Sequence, residues 1–137
     1  MAKILMFGGS GLIGSHLYAA LKSLGHKVFI QSRSDTFDIK LDPFDKNKIL
    51  STLFQLQPDL VINLIANTDV DGCETNISDA FLVNTKVCQI IAKAVNELDF
   101  TVRLRHISTD QVYTGFGFQS EVDAKPENIY ALTKYAG

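Results

Sequence analysis

Residues 3–14 of the chain read KILMFGGSGLIG, and this stretch decides the fold. Its first five residues form a short, largely apolar run that is typical of a buried strand in a parallel sheet. The run breaks into glycines, and apolar residues then return at helical spacing from Leu12 to Leu24, up to Gly25. Strand, glycine turn and helix in this order predict the start of a β–α–β unit.

The same alternation continues along the chain. Further strands are predicted at KVFIQS (27–32), DLVINLIA (59–66) and TVRLRHIS (101–108), with helices over 44–57 and 78–97 and a last helix that opens near Asn128. The polar segment 68–76 is predicted to be a loop. Strands that alternate with helices predict an α/β fold, here a Rossmann-like doubly wound parallel sheet with helices on both faces.

Composition narrows the class of protein. Apolar residues make up 46%, charged residues 20% and the formal net charge is −2, as in a globular domain. No basic run predicts a nucleic-acid partner, and no stretch predicts a signal peptide or a membrane span, so we expect a cytoplasmic protein. Cys73 and Cys88 lie far apart and His16, His26 and His106 have no metal-like spacing, so we expect reduced thiols, structural histidines and no metal.

The glycine segment predicts a dinucleotide site. Gly8, Gly11 and Gly14 recur at three-residue spacing, and Gly9, Gly11 and Gly14 satisfy G-x-G-x-x-G. Glycines allow a sharp turn, a close approach of backbone to a pyrophosphate and tight packing of helix on strand, while the helix N-terminus offers free N–H groups. The motif is weak alone, but here it follows an apolar strand and opens an amphipathic helix.

The end of the second strand bears on the choice of dinucleotide. An acidic side chain there would bind the adenosine ribose hydroxyls, whereas an arginine would pair with a 2′-phosphate. The sequence reads QSRS, with Ser32 and Arg33 and no carboxylate before Asp35. This favours NADP(H), with NAD(H) as the alternative because Arg33 could equally point to solvent.

Two later segments predict carbonyl chemistry. HISTD places Ser108, Thr109 and Asp110 after a strand, at the edge where open α/β sheets bind ligands, and hydroxyls there can hold a substrate oxygen. Tyr130 and Lys134 are spaced i, i+4 and therefore share one helix face. A lysine ammonium beside a phenol favours the phenolate, which makes the tyrosine a usable general acid or base.

Hydride transfer between a nicotinamide and a carbonyl carbon needs these parts together. Tyr130 would donate the proton, Thr109 would hydrogen-bond the carbonyl oxygen, and Lys134 would tune the tyrosine and hold the nicotinamide ribose. Tyr-x-x-x-Lys is common on amphipathic helices, and it is the order of glycine loop, strand-end hydroxyls, tyrosine and lysine that favours the catalytic interpretation.

The chain resembles the extended short-chain dehydrogenase/reductase superfamily and, within it, the dTDP-4-dehydrorhamnose reductases. The resemblance rests on ILMFGGSGLIG, on VNTKVCQIIAKA, and above all on HISTDQVYTG and PENIYALTKYAG. It implies NADPH-dependent reduction of a nucleotide-linked 4-keto-6-deoxy sugar. The alternatives are an NAD-dependent nucleotide-sugar epimerase or dehydratase of the same superfamily and a non-catalytic NADP-binding regulatory subunit.

The resemblance also assigns residues. It implies that Thr109, Tyr130 and Lys134 are catalytic, with Thr109 and Asp110 toward the substrate. Tyr130 and Lys134 are expected to touch the cofactor too, and its remaining contacts would be Gly8, Ser10, Gly11, Leu12, Ile13, Gly14, Ser32, Arg33, Asp38, Ile39, Ala66, Asn67 and Thr68.

The sequence departs from the family pattern at several positions. Ser32 stands where many relatives have an acid, Asn67 where an aromatic residue is usual, Arg105 where an apolar residue is usual, and Gln111 where a tyrosine is usual in STDYVF. Ser32 supports NADPH, whereas Asn67 and Gln111 bear on the identity of the substrate.

Family members continue for about as long again. We therefore expect residues 1–137 to be one NAD(P)-binding Rossmann domain, the amino-terminal part of an enzyme, with a sheet that is incomplete at the C-terminus and a substrate-binding portion that is absent. The apolar surface that this leaves open predicts self-association as a homo-oligomer.

Overall fold

The computed structural model describes residues 1–34, 36–115 and 117–137. Asp35, the first carboxylate after the second strand, lies outside the described residues, as does Phe116. The chain forms two compact units. The first contains residues 1–65 and 89–107, and the second contains residues 66–88 and 108–137.

The first unit is built on a five-stranded parallel sheet with the order β3-β2-β1-β4-β5. The chain runs outward from β1 to β3 and then crosses back to β4, so the strand order reverses between β1 and β4. Open α/β sheets bind ligands at the carboxyl end of such a reversal. The strands are β1 (Lys3–Phe7), β2 (Lys27–Ser32), β3 (Ile39–Lys40), β4 (Leu60–Asn63) and β5 (Arg103–His106).

Helices cover both faces of this sheet. Helix α1 (Leu12–Ser23) packs on the face formed by Ile4, Met6, Val28 and Ile62. Because β1 to β2 and β3 to β4 run in opposite directions across the sheet, right-handed crossovers place α2 (Lys46–Leu56) on the other face. On this second face the fully buried residues of the strands are Leu5, Phe7 and Val61, and those of α2 are Ile49 and Leu53.

This architecture confirms the predicted fold class, a Rossmann-like doubly wound parallel sheet with helices on both faces. The strands predicted at 59–66 and 101–108 are real but shorter, as β4 and β5. Strand β3 was not predicted, because two residues in a polar segment carry no alternating pattern. In β5, Arg103 and Arg105 are both exposed, since this strand has a partner on one side only within the described sheet.

The structure between residues 66 and 97 corrects two predictions. The segment 68–76 is not all loop, because it contains helix α3 (Val70–Thr75), whose first turn is capped by Asp69 Oδ1 accepting from the Gly72 N–H at 3.0 Å. The helix predicted over 78–97 is not continuous. It divides into α4 (Ile77–Phe81), a π-helical turn (Leu82–Lys86) and α5 (Val87–Asn96), and the last helix is α6 (Ile129–Tyr135).

The π-turn changes which side chains of this region face inward. A π-turn holds one residue more per hydrogen-bonded turn than an α-helix does, so the inward face shifts across it. Asn84 and Thr85 are fully buried, whereas Phe81 is 46% exposed. Phe81, an apolar residue within the helix predicted over 78–97, therefore lies largely outside the core.

No helix within residues 1–34, 36–115 and 117–137 has the length and apolar character needed to cross a membrane.

Candidate active site

The glycine segment forms a tight cradle between β1 and α1. Gly8 has φ +74°, a conformation that favours glycine, and its carbonyl accepts the Gly11 N–H at 3.1 Å. A Cβ on Gly14 would lie 2.6 Å from the Gly8 oxygen and from Gly9 Cα. A Cβ on Gly9 would meet the Ile30 side chain at 2.9 Å. The first turn of α1 therefore packs directly on the loop, with no room for side chains at these positions.

The first N–H groups of α1 have no partner within the helix itself. Gly11 is the N-cap of α1 and provides no side-chain cap, and the first turn contains no acidic residue. Leu12 and Ile13, which supply the first N–H groups, are 81% and 62% exposed. Unsatisfied N–H groups and the positive end of the helix dipole favour an anion, so these residues fit a dinucleotide pyrophosphate.

A cavity of about 460 Å³ adjoins this cradle. Asp38 stands at its wall and is fixed there, because Asp38 Oδ2 accepts the Ile30 N–H of β2 at 2.9 Å. Two predicted cofactor residues, Ser10 and Asp38, thus line one cavity. The other lining residues are Gly9, Ser15, Tyr18, Ile30, Thr36 and Phe37.

Sequence reasoning missed Ser15 and Tyr18 in this cavity. They lie three residues apart on α1, with Ser15 directly after Gly14 and Tyr18 one turn further along. The spacing from Gly11 could have placed them beside the loop.

A chain of hydroxyl groups follows β2. Ser32 Oγ accepts the Ser34 N–H at 3.1 Å and also lies 3.1 Å from Ser34 Oγ, which in turn donates to Thr36 Oγ1 at 3.1 Å. Arg33 is exposed beside them. Hydroxyl donors together with a guanidinium suit a phosphate group, which is the chemistry that the sequence predicted at Ser32 and Arg33.

In the second unit, Tyr130 and Lys134 lie on the capped helix α6. Asn128 Oδ1 accepts the Ala131 N–H at 2.7 Å, and Glu74 Oε1 accepts the Ile129 N–H at 2.7 Å. The two predicted catalytic side chains are 9% and 3% exposed. Burial lowers the pKa of Lys134, and the neighbouring Cys88 side chain opposes that shift.

A buried polar network holds the middle of α6. Asn84 Oδ1 accepts the Asn67 N–H at 2.7 Å, while Asn84 Nδ2 donates to the Asn67 carbonyl at 3.2 Å and to Thr133 Oγ1 at 3.1 Å. Thr85 Oγ1 donates to the Thr133 carbonyl at 2.6 Å. The predicted cofactor segment 66–68 is therefore tied to the helix that carries Tyr130 and Lys134. Sequence reasoning missed this network, although the polar pair Asn84 and Thr85 inside an apolar helix was a visible signal.

Thr109 and Asn67 already have partners within the second unit. Thr109 Oγ1 accepts the Gln111 N–H at 3.2 Å and lies 3.4 Å from Asp110 Oδ1. Asn67 Nδ2 donates to Asp79 Oδ2 at 3.1 Å. The Asn67 amide therefore belongs to a local polar cluster, and Thr109 opens a short 3₁₀ turn.

The structure divides the predicted site residues between the units. It brings the glycine cradle and the end of β2 together in the first unit, and it brings Thr109, Asp110 and the α6 residues together in the second. The first group is Gly8, Ser10, Gly11, Leu12, Ile13, Gly14, Ser32, Arg33, Asp38 and Ile39, and the second is Ala66, Asn67, Thr68, Thr109, Asp110, Tyr130 and Lys134.

The substitution Gly14→Ala is expected to lower the free energy of unfolding by about 2 kcal/mol or more. Alanine is the better helix former by about 1 kcal/mol, but the clash outweighs that gain because the opposing atoms are backbone atoms that cannot move aside. Gly11→Ala is the matched control, since its nearest contact would be 3.4 Å from the Gly8 oxygen. Urea unfolding of both variants tests this, and equal stability would contradict it.

The cradle at the strand reversal and the Tyr-x-x-x-Lys helix together define a chain of the short-chain dehydrogenase/reductase class. The chain belongs to the RmlD substrate binding domain family, whose profile matches residues 2–137. It is 36% identical over 135 residues to dTDP-4-dehydrorhamnose reductase of Escherichia coli. This match covers 96% of this chain and 44% of that enzyme. The chain thus spans about half the length of the curated relatives it matches.

Solved structures show the same fold. The dTDP-4-dehydrorhamnose reductase of Bacillus anthracis, in complex with NADP, superimposes with a TM-score of 0.83 at 23% identity, over 98% of this chain and 47% of that one. The UDP-Glc/GlcNAc 4-epimerase of Campylobacter jejuni gives 0.87 at 18% identity, over 99% of this chain and 46% of that one. At these identities the likeness shows the fold alone, and reductase and epimerase share it.

Proposed function

We propose that this chain carries the cofactor-binding and proton-donating part of an NADPH-dependent reductase of a nucleotide-linked 4-keto-6-deoxy sugar, as in dTDP-rhamnose biosynthesis. The observation that carries the proposal is the buried pair Tyr130 and Lys134 on a helix capped at its first turn and anchored at its middle. The 36% identity to the Escherichia coli reductase supports the choice of substrate class.

The cofactor is held by residues of this chain. The N–H groups from Ser10 to Ile13 bind the pyrophosphate, Asp38 and Ile39 lie toward the adenine, and Ser32 and Arg33 bind the 2′-phosphate. Ala66, Asn67 and Thr68 complete the contacts. When bound, NADPH supplies the hydride for reduction of the keto carbon.

The remaining residues manage the keto oxygen and its proton. Tyr130 donates its phenolic proton to that oxygen as negative charge develops on it, and Thr109 hydrogen-bonds the same oxygen. Lys134 places a buried positive charge near the phenol, which stabilises the phenolate left behind, and binds the nicotinamide ribose. Asp110 lies toward the substrate.

The dinucleotide preference is tested by Arg33→Ala. We expect this variant to lose about tenfold in affinity for NADPH and to leave NADH binding unchanged, because a charge-assisted contact to phosphate contributes about 1.5–3 kcal/mol. Isothermal titration of both dinucleotides measures the effect. Arg103→Ala is the matched control, since Arg103 is also exposed but lies on β5. Equal loss for both dinucleotides would contradict a role at the 2′-phosphate.

Turnover separates the candidate functions. The proposed reductase oxidises NADPH stoichiometrically when given a dTDP-4-keto-6-deoxy sugar, followed by absorbance of the reduced nicotinamide. An epimerase or dehydratase would convert a nucleotide sugar with no net oxidation, and a regulatory subunit would bind NADPH and convert nothing. Either of these outcomes, with the intact protein, would overturn the proposal.

A further inference from the structure

We propose that Gln111 is a positioning residue that holds the segment bearing Thr109 in register with the first turn of α6. The proposal rests on the function proposed above, in which Thr109 and Tyr130 act on one oxygen. Its central observation is the contact between two side-chain amides, in which Asn128 Nδ2 donates to Gln111 Oε1 at 3.1 Å. The two residues are far apart in sequence and belong to different elements.

On one side, Gln111 is rigidly connected to Thr109. The Gln111 N–H donates to Thr109 Oγ1 at 3.2 Å, and the Tyr113 N–H donates to the Asp110 carbonyl at 3.0 Å. These bonds close the 3₁₀ turn from Asp110 to Val112. The backbone from which the Gln111 side chain projects is therefore part of the same closed turn as Thr109.

On the other side, Asn128 uses both ends of its amide. Its Oδ1 caps α6 by accepting the Ala131 N–H at 2.7 Å, and this bond fixes which way the amide points. Its Nδ2 is consequently directed outward, to Gln111. Glu74 Oε1 accepts the next N–H along the chain, that of Ile129, at 2.7 Å. The turn that contains Tyr130 is thus held by side chains from outside the helix.

The contact between Gln111 and Asn128 contributes little to stability. Gln111 is exposed, and an exposed hydrogen bond between neutral amides adds little net stability because water competes for both groups. The middle of α6 is already anchored at Thr133 by Asn84 and Thr85. The amide pair instead fixes the position of the first turn of α6 relative to Thr109. A displacement of about 1 Å between groups that act on one atom can reduce the rate up to about 10²-fold.

Three substitutions in the intact protein test this role. Gln111→Met keeps the length of the side chain and removes the acceptor, while Gln111→Glu keeps an acceptor. Asn128→Ser keeps a cap oxygen and removes the amide donor, and serine caps helices about as well as asparagine does. We expect kcat to fall about threefold to tenfold in Gln111→Met and in Asn128→Ser, with KM for NADPH and the Tm nearly unchanged. Gln111→Glu should retain kcat.

The double variant Gln111→Met/Asn128→Ser decides whether the two residues act as one contact. If they do, the double variant is no slower than either single variant, because the same contact is lost each time. Losses that multiply would overturn the proposal, as would unchanged kcat in Gln111→Met or a loss in kcat that Gln111→Glu shares.

Amide hydrogen exchange gives a readout that does not depend on turnover. In Gln111→Met the Asn128 amide is no longer fixed at its outer end, so we expect faster exchange at the Ala131 N–H than in the wild type. If Ala131 exchanged faster in Gln111→Met but the protein reduced no sugar nucleotide, the positioning role of Gln111 would stand and only the proposed function would be contradicted. Unchanged exchange at Ala131 would overturn the register itself.

Discussion

Replacing Tyr130 by phenylalanine is expected to lower kcat by about 10²-fold or more, because a positioned general acid contributes about 10²- to 10⁴-fold to the rate. The substitution removes one oxygen and leaves the ring in its packing site against Cys73 and Ala80. Fold and NADPH affinity should therefore change little. The measurement is kcat for NADPH oxidation with a dTDP-4-keto-6-deoxy sugar, together with a thermal unfolding curve.

Tyr135→Phe is the matched control on the same helix. Tyr135 is 56% exposed, and its substitution also removes a single phenolic oxygen. We expect wild-type kcat in this variant. If Tyr130→Phe turned over as fast as Tyr135→Phe, Tyr130 would not be the proton donor.

Replacing Lys134 by methionine is expected to lower kcat by about 10²-fold while keeping the protein folded. Methionine has a similar length and fills the same buried position, but it cannot stabilise a phenolate or hydrogen-bond a ribose. Lys125→Met is a suitable control, since the Lys125 side chain is 77% exposed. Wild-type kcat in Lys134→Met would contradict the assignment.

The same variant makes a prediction about stability and pH. The pKa of Lys134 in the folded protein lies below its ordinary value of 10.5, because burial penalises the charged form. Between the two pKa values the unfolded chain binds more protons, so stability rises with pH there, and the penalty is complete below the folded pKa. At pH 7 the Tm of Lys134→Met should therefore equal or exceed that of the wild type, and the difference should shrink toward pH 10. A gap that widened with pH would contradict this.

The fold was predictable because its signals are local and periodic. The run KILMF, the glycines after it and the helical spacing from Leu12 are each contained in a few turns of chain. The errors arose in two segments where composition and apolar spacing do not reveal how the backbone winds. Segment 68–76 has the composition of a loop, yet Asp69 caps a helix in it. Likewise the apolar spacing around Phe81 continues through a π-turn that the spacing alone cannot reveal.

The candidate site was predictable only in part, for a related reason. Gly14 and Tyr130 belong to motifs in which spacing along the chain implies proximity in space. The partners of the Asn84 and Gln111 side chains lie 17 or more residues away in sequence, so no local spacing contains them. A buried amide such as Asn84 must find donors and acceptors, which explains why the contact exists, but the sequence does not specify with which residue.

The effect of the π-turn at Leu82–Lys86 depends on how many residues it contains. It holds one residue more than α-helical winding would need, and that surplus turns Asn84 and Thr85 inward together. A substitution at either position removes one polar group, whereas deletion of a single neighbouring residue would rotate both away at once. The number of residues in this segment is therefore constrained, and a comparison of residue types position by position would not reveal that constraint.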